Sequence, residues 1–282
     1  MALTVNTNVT SLGVQKNLNK ASDALSTSMT RLSSGLKINS AKDDAAGLQI
    51  ATRINSQIRG QTMAIKNAND GISIAQTAEG AMQEQTNILQ RMRELAVQSR
   101  NDSNSSTDRD ALNKEFTQMS AELTRIANST NLNGKNLLDG TASTMTFQVG
   151  SNTGSSNQIT LTLSASFDAD TLGVGSAITI AGSTSAVAET NFSAAVVAID
   201  AALATINSSR ADLGAAQNRF TSTIANLNNI NENASAALGR VQDTDFAAET
   251  AQLTKQQTLQ QASTSVLAQA NQLPSAVLKL LQ

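Results

Sequence analysis

The chain has 282 residues, which is long enough to bury a substantial core, and it contains no His, Cys, Trp or Tyr. Without His or Cys it lacks the ordinary general base near neutral pH, a thiol nucleophile and the usual zinc ligands. Its 20 basic and 22 acidic residues give a formal net charge of -2 and no polycationic surface for phosphates. The composition therefore argues against an enzyme and against nucleic acid as a partner, and it predicts no cofactor and no metal.

The beginning of the chain, Met1 to Leu18, lacks the basic start, continuous apolar core and cleavage pattern of a secretory signal peptide. The longest charge-poor segments are interrupted by polar residues, so no run approaches the roughly 18 apolar residues of a membrane span. We expect neither Sec export nor a membrane partner.

Apolar residues at three- and four-residue steps predict a first amphipathic helix. Its apolar face contains Leu18, Ala21, Leu25, Met29, Leu32 and Leu36. A second, long helix is predicted after Ser40. Asp43 and Asp44 suit the positive end of its dipole better than a cation site.

Three glycines interrupt the long helix, and each is costly in a helix interior, so we expect close helix packing to be the reason for them. These are Gly60, Gly71 and Gly80. A polar loop follows, and then a third helix with apolar residues from Leu112 to Ile126. Thr107 is its expected cap, with Asp110 three residues later.

Beyond Asn131 the composition changes to Gly, Ser, Thr and Asn with alternating apolar residues. This alternation predicts a β-hairpin around a turn-rich centre, and Ile178 with Ile180 suggests another short strand. The alternating apolar residues of the hairpin are Met145, Phe147 and Val149, then Ile159, Leu161 and Leu163.

The clearest periodicity lies downstream, where apolar residues recur every seven positions. They are Ile199, Ile206, Leu213, Phe220, Leu227, Ala234 and Val241. This repeat predicts a coiled-coil helix, with the first five of these residues as its core. The second heptad position is polar at Arg210, Gln217 and Asn231, and such interruptions can fix register and partner choice.

The last segment has the same helical spacing as the first. Its apolar residues are Leu259, Ala262, Val266, Ala270, Leu273, Val277 and Leu280. Pro274 is the only proline, and we expect it to make the final turns irregular.

Both chain ends are polar but nearly uncharged. Residues 256–278 contain no charged side chain, and Lys16 is the only one before Lys20. Because burying an unpaired ion is costly, such helices suit the inside of an assembly, whereas disordered polar tails are the alternative. The residues expected to drive self-assembly are Leu18, Leu25, Leu32, Leu36, Leu259, Val266, Leu273 and Val277.

Several of these segments resemble the bacterial flagellin family, and the likeness covers most of both terminal thirds. They are Leu3 to Asn8, Arg31 to Gly35, Ile38 to Leu48, Ala68 to Gly71, Gln217 to Phe220 and Ser265 to Gln272. The resemblance implies a structural subunit that polymerises into the flagellar filament for swimming.

The resemblance also implies a mainly α fold with a small β region. Antiparallel terminal helices would form a coiled coil, beside a long-helix bundle with a β-hairpin. The expected domains are 1–40 with 242–282 as the inner domain, 41–172 with 193–241 as the helical core, and 173–192 as a minimal outer insertion.

Flagellins leave the cell through the flagellar type III channel, so the resemblance implies an extracellular filament protein. It further implies contacts with filament cap and hook-associated proteins, and an export chaperone bound at the C-terminal helix, from Leu259 to Leu281. Recognition by a vertebrate Toll-like receptor is implied by the motif from Leu89 to Leu95, with Arg91, Leu95 and Glu115 as the contact residues. Contacts between subunits are the alternative role of this motif.

Other functions fit the sequence less well. A hook-filament junction protein has related terminal helices and is the nearest alternative. A coiled-coil adaptor module would not need uncharged ends, and a carboxylate enzyme lacks a convergent polar site.

Overall fold

The computed structural model describes residues 7–280, with side chains through residue 272. Its described residues form five long helices and two antiparallel hairpins. The helices are α1 (Val9–Ser34), α2 (Ala45–Arg100), α3 (Ser106–Ser129), α4 (Ser185–Gln242) and α5 (Phe246–Leu280). The strands are β1 (Asn131–Leu132), β2 (Lys135–Asn136), β3 (Ser143–Gln148) and β4 (Gln158–Leu163).

The chain divides into two compact units. The terminal unit contains the described parts of Met1–Ile58 and Glu232–Gln282, and the central unit is Arg59–Asn231. Both α2 and α4 cross this boundary. The boundary between the units lies inside the predicted core domain rather than at residues 40 and 242. The predicted limits of the domains stay a prediction.

In the terminal unit, α1 packs against α5 in antiparallel orientation. Asn8 donates to the carbonyl oxygen of Ala270 at 2.7 Å at one end, and Arg31 lies 3.8 Å from Glu249 at the other. The least exposed positions of each helix follow steps of three and four, as in a coiled coil. We call them the inner seam: Val14, Leu18, Ala21, Leu25, Ser28 and Leu32 on α1, and Leu253, Gln256, Gln260, Ser263, Leu267 and Ala270 on α5.

The first helix ends earlier than its apolar spacing predicts. Gly35 adopts φ 72°, a left-handed conformation that suits glycine, and its N–H donates to the carbonyl oxygen of Arg31. Leu36 therefore lies outside α1, in an isolated antiparallel bridge with Asp243. At the other end of the chain, α5 continues through Pro274 to Leu280, so the expected irregular final turns are absent from the described backbone.

The central unit contains the larger core. Side chains from α2, α3, α4 and the β3–β4 hairpin meet there, and Phe147 packs edge-on against Phe220 with ring centroids 5.5 Å apart. Gly71 lets the Phe220 ring approach α2 closely, because a Cβ atom at this position would lie 2.6 Å from the ring. Gly60 is similarly close to Ser151, whereas Gly80 has no neighbour that requires glycine.

The predicted hairpin is confirmed, with Phe147 opposite Ile159 and Met145 opposite Leu161 in the β3–β4 pairing. The strand predicted at Ile178 and Ile180 is wrong, because this segment is irregular. Val174 and Ile180 instead fill the core of the central unit with buried side chains. The mainly α fold with a small β region is as predicted.

Two helix starts show which caps the chain uses. The Asp44 carboxylate accepts from the N–H of Gly47 at 2.9 Å and caps α2. The cap of α3 is Ser105, which forms a capping box with Asp108. The prediction of Thr107 as this cap, with Asp110 three residues later, is therefore wrong by two residues.

Candidate assembly surface

One side of α5, away from the inner seam, carries apolar side chains that remain partly exposed to solvent in the described chain. Leu259 is 44% exposed and Val266 is 45% exposed. At about 100° per residue they lie roughly a quarter turn from the inner seam. We call Leu259, Ala262 and Val266 the outer stripe. The side chains of Leu273 and Val277, which continue this spacing, lie outside the described residues.

The residues predicted for self-assembly on α1 have a different environment. Leu18, Leu25 and Leu32 are half-buried in the inner seam. The exposed apolar residues of α1 are Val9, Leu12 and Met29 instead. The set of residues predicted for self-assembly therefore contains two kinds of position. Those on α1 pack within the chain, whereas Leu259 and Val266 on α5 are exposed to solvent.

Charge is sparse along this surface. Arg31 with Glu249 is the one ion pair seen between the described parts of α1 and α5. It lies at the end of the helix pair where α1 ends and α5 begins. The inner seam of α5 is itself partly polar, since Gln256 is buried and Gln260 and Ser263 are half-buried. The α1–α5 pair therefore combines a weakly apolar interior with an exposed apolar stripe on α5, in a stretch without charged residues from Gln256 to Leu278.

The predicted heptad core lies in the interior of α4. All five of its residues are buried: Ile199, Ile206, Leu213, Phe220 and Leu227. An 18-residue window of α4 has a mean hydropathy of 1.4, which meets the length and composition test for a membrane span. Since Ile199, Ile206 and Phe220 belong to the core of the central unit, we assign α4 as a core helix.

The three polar heptad positions of α4 all face polar groups of α2. Gln217 donates to the Glu79 carboxylate at 2.8 Å, and Arg210 lies 3.9 Å from the same carboxylate. Asn231 is 3.4 Å from the hydroxyl of Thr62. Sequence reasoning found the interruptions on α4 but missed Glu79, because nothing in the periodicity of α2 marks that residue.

The residues named for receptor contact separate into two groups. The Arg91 guanidinium donates to Glu115 at 2.8 and 3.1 Å and to Glu94 at 3.0 Å. These bonds, the one with Glu115 foremost, raise the pKa of Arg91 above its ordinary value. Leu95 is fully buried, which corrects its expected place in a contact surface. Arg91 and Glu115 remain about half exposed.

The acidic pairs of the sequence have structural roles. Asp43 accepts from the N–H groups of Ser40 and Asn39, and these backbone bonds lower its pKa. Asp168 accepts from the N–H of Thr171, which lowers its pKa in the same way. Among the described residues there is no group of three or more Asp and Glu placed to hold a metal ion.

A groove of about 480 Å³ lies between β4 and α4. Asp212 and Arg219 are the ionisable side chains that line it, together with the hydroxyl groups of Thr160, Thr162, Ser164 and Ser209.

The paired terminal helices, the separately packed central core and the uncharged outer stripe define a structural subunit that self-assembles. The comparisons agree with this class. Residues 5–143 match the bacterial flagellin N-terminal helical region, and residues 196–281 match the bacterial flagellin C-terminal helical region. The chain belongs to the bacterial flagellin family.

Its relatives support the assignment over the whole length. It is 42% identical to Flagellin D of Vibrio anguillarum and 41% identical to Flagellin B of Vibrio cholerae, covering 100% of each chain. The first alignment runs over 376 positions against 282 residues here, so this flagellin has a short outer region.

A solved structure shares the fold at much lower identity. It is described as a flagellar hook-associated protein from Vibrio parahaemolyticus, with a TM-score of 0.59 and 14% identity. The match covers 71% of this chain and 100% of that one. At 14% identity this likeness concerns the fold alone, and the family matches and full-length relatives support flagellin rather than the hook-filament junction alternative. The protein is a filament subunit, a structural component of the extracellular flagellum rather than an enzyme.

Proposed function

We propose that the outer stripe of α5 is the surface through which the terminal unit binds neighbouring subunits in the filament. One observation carries this proposal: Leu259 and Val266 are exposed in a stretch of α5 that has no charged residue from Gln256 to Leu278. Leu273 and Val277 extend the proposed contact by their spacing. Three residues of α1 support the proposal indirectly, because they hold α1 against α5: Leu18, Leu25 and Leu32. Leu36 lies just after the end of α1, in its bridge with Asp243.

The physical reason is the cost of burying charge. An exposed helix in a monomer gains solubility from Lys and Glu, so excluding them favours a surface that becomes buried. Gln, Ser and Thr can still form hydrogen bonds inside an assembly. The terminal helices are then only partly stabilised in the monomer, and neighbouring subunits complete their burial.

Substitution of the outer stripe tests this proposal. Val266→Asp and Leu259→Asp place a charge on the proposed contact and should abolish elongation from filament seeds, measured by sedimentation and electron microscopy. Val266→Thr keeps the shape without a charge and should still elongate. The far-UV circular dichroism of each monomer should match that of the parent. Normal filaments from Val266→Asp would refute the proposal.

We further propose that the C-terminal helix binds a dedicated export chaperone before type III export. The same outer stripe supports this, because an exposed apolar surface needs cover in the cytoplasm. Purified chaperone should bind the parent chain and lose affinity for Leu259→Asp. Unchanged binding would separate the chaperone site from the assembly site.

Contacts with the filament cap and with hook-associated proteins are proposed for the same terminal helices. The support is geometric, because subunits at either end of a filament leave their outer stripes without a flagellin neighbour. Val266→Asp should then also fail to add to hook-associated protein in a pull-down, while Val266→Thr binds. Binding by both variants would place that contact elsewhere.

For the Toll-like receptor we propose a contact centred on Arg91 and Glu115, without Leu95. These two charged side chains are exposed and hold each other in place across α2 and α3. Arg91→Ala should reduce receptor activation by monomer in a reporter cell line. Arg93→Ala, which removes the nearby pair with Asp200, is the matched control and should change it less. Equal effects would argue against this contact.

A further inference from the structure

The helices α2 and α4 run antiparallel in the central unit, and their contacts advance in step. Arg93 pairs with Asp200 at 3.1 Å, Gly71 lies against Phe220, and Thr62 meets Asn231. As the residue number on α2 falls, the number of its partner on α4 rises by nearly the same amount. One register therefore holds along the pair.

The apolar heptads alone do not choose this register. A shift of α4 by seven residues, about 10.5 Å, would replace Phe220 by Leu213 or Leu227 and keep an apolar seam. Something else must distinguish the native alignment from its neighbours. From contacts and spacing, we infer that two keys, the Glu79 carboxylate and the Gly71 to Phe220 contact, set the α2–α4 register.

The first key is polar. In the native register Glu79 meets Gln217 and lies near Arg210. The same heptad position carries Leu203 before Arg210 and Ile224 after Gln217. A shift in either direction therefore places an apolar side chain beside Glu79 and leaves it one polar partner instead of two. A half-buried carboxylate facing Leu or Ile loses part of the polar contact that the Gln217 hydrogen bond and the Arg210 ion pair give it in the native state.

The second key is steric. Phe220 fits against Gly71 because a Cβ atom at residue 71 would lie only 2.6 Å from its ring. Seven residues to either side, α2 carries Ala64 and Ala78, both buried. In a shifted register the Phe220 ring would meet one of these alanines at the place where only glycine leaves room. Both contacts therefore disfavour the same two registers, those shifted by seven residues in either direction.

The inference concerns residues 59–231 and goes beyond the proposed function of the terminal helices, so either can fail without the other. It matters for a subunit that must fold into one alignment before it assembles. The natural chain contains no cysteine, so introduced cysteine pairs can report the register without background.

The reporter pairs are Thr62→Cys with Asn231→Cys for the native register and Thr62→Cys with Ile224→Cys for the shifted one. Two cysteines one heptad out of register are too far apart for a disulfide. Full-length monomer is refolded from urea, oxidised and analysed by mass spectrometry. The parent background should give the native cross-link and essentially none of the shifted one.

Removing both keys, with Glu79→Leu and Phe220→Leu together, should raise the shifted cross-link at least about tenfold, which is what losing one hydrogen bond to a charged group predicts. The single variants should show smaller increases. A double variant that gives only the native cross-link would overturn the inference.

A separate pair keeps the test decisive if that double variant does not refold. Glu79→Lys with Gln217→Glu exchanges the polar partners and leaves Phe220 in place, so the native cross-link should persist. Glu79→Lys alone brings a second cation near Arg210 and should yield less of it. Equal yields from these two variants would contradict the polar key.

Discussion

The two units of this flagellin are stabilised in different ways. The central unit buries Phe116, Phe167 and Phe220 with many aliphatic side chains in one core. In the terminal unit the buried apolar side chains among the described residues are few and mostly small: Ala21, Ile38, Ala51 and Ala270. Apart from Ile38, the large apolar residues described there lie half-buried or exposed. We therefore expect the central unit to fold by itself, and we expect the exposed apolar surface of the terminal unit to be covered by other subunits.

The largest predicted effect comes from opening the central core. Phe116→Ala should lower the free energy of unfolding of the monomer by about 3–5 kcal/mol, because it removes a fully buried ring and leaves a cavity. Urea unfolding followed by circular dichroism measures this. The matched change in the terminal unit, Val266→Ala, should alter it by less than about 0.5 kcal/mol. Similar losses at both sites would erase the contrast between the units.

The next prediction concerns the end of α1. Gly35→Ala should destabilise the terminal unit by about 1–2 kcal/mol, because φ is 72° there and a Cβ atom disfavours that conformation. Gly13, inside the same helix with open space around it, is the control. Gly13→Ala should stabilise α1. Amide exchange of the last turn of α1 measures both, and opposite signs are expected.

A smaller effect is expected at the start of α3. Ser105→Ala removes the capping box and should cost the central unit about 1 kcal/mol in urea unfolding. Thr107→Ala changes the residue that the sequence suggested as the cap, and it should be nearly neutral. A larger loss for Thr107→Ala than for Ser105→Ala would mean that the helix begins where the sequence predicted.

The pH dependence should be the weakest of these effects. Hydrogen bonds lower the pKa of Asp108, with the Ser105 hydroxyl first, and the pKa of Asp139, with the Thr141 hydroxyl first. A lowered folded-state pKa stabilises the fold above the ordinary pKa of Asp, and this stability is lost as pH falls through the folded value. The urea midpoint of the central unit should therefore be flat from pH 7 to about 5 and fall below about 4. A midpoint that rises on acidification would reverse the sign.

The sequence predicted the parts of this fold that rest on strong periodicity. The β3–β4 hairpin and the long helices appear where alternation and heptads placed them, except that α4 begins at Ser185, inside the segment 173–192 predicted as an outer insertion. It failed where a local hydrogen bond or a tertiary contact decides, as at the capping box of Ser105 and the end of α1 at Gly35. The segment with Ile178 and Ile180 looked like a strand, but its apolar side chains serve the core without strand pairing.

The candidate assembly surface was predictable only in part. The absence of charge is visible in the sequence and singled out both terminal helices, whose role as the assembly surface stays a prediction. Which apolar residues face the partner helix was not visible, because α5 carries two helical stripes and its inner one is partly polar. Leu259 and Val266 form the more apolar stripe, yet the structure turns Gln256 and Ala270 inward. Because the inner seam of α5 contains Gln256, Gln260 and Ser263, apolar periodicity alone does not predict it.

The central claim is that the terminal unit becomes fully ordered by assembly while the central unit is already ordered in the monomer. Hydrogen exchange on monomer and on assembled filament, read separately for each helix, tests it most directly. We predict that α1 and α5 exchange quickly in the monomer and slowly in the filament, and that the segment of α4 from Ile199 to Leu227 is protected in both. Equal protection of α1 and α5 in the two states would contradict this account.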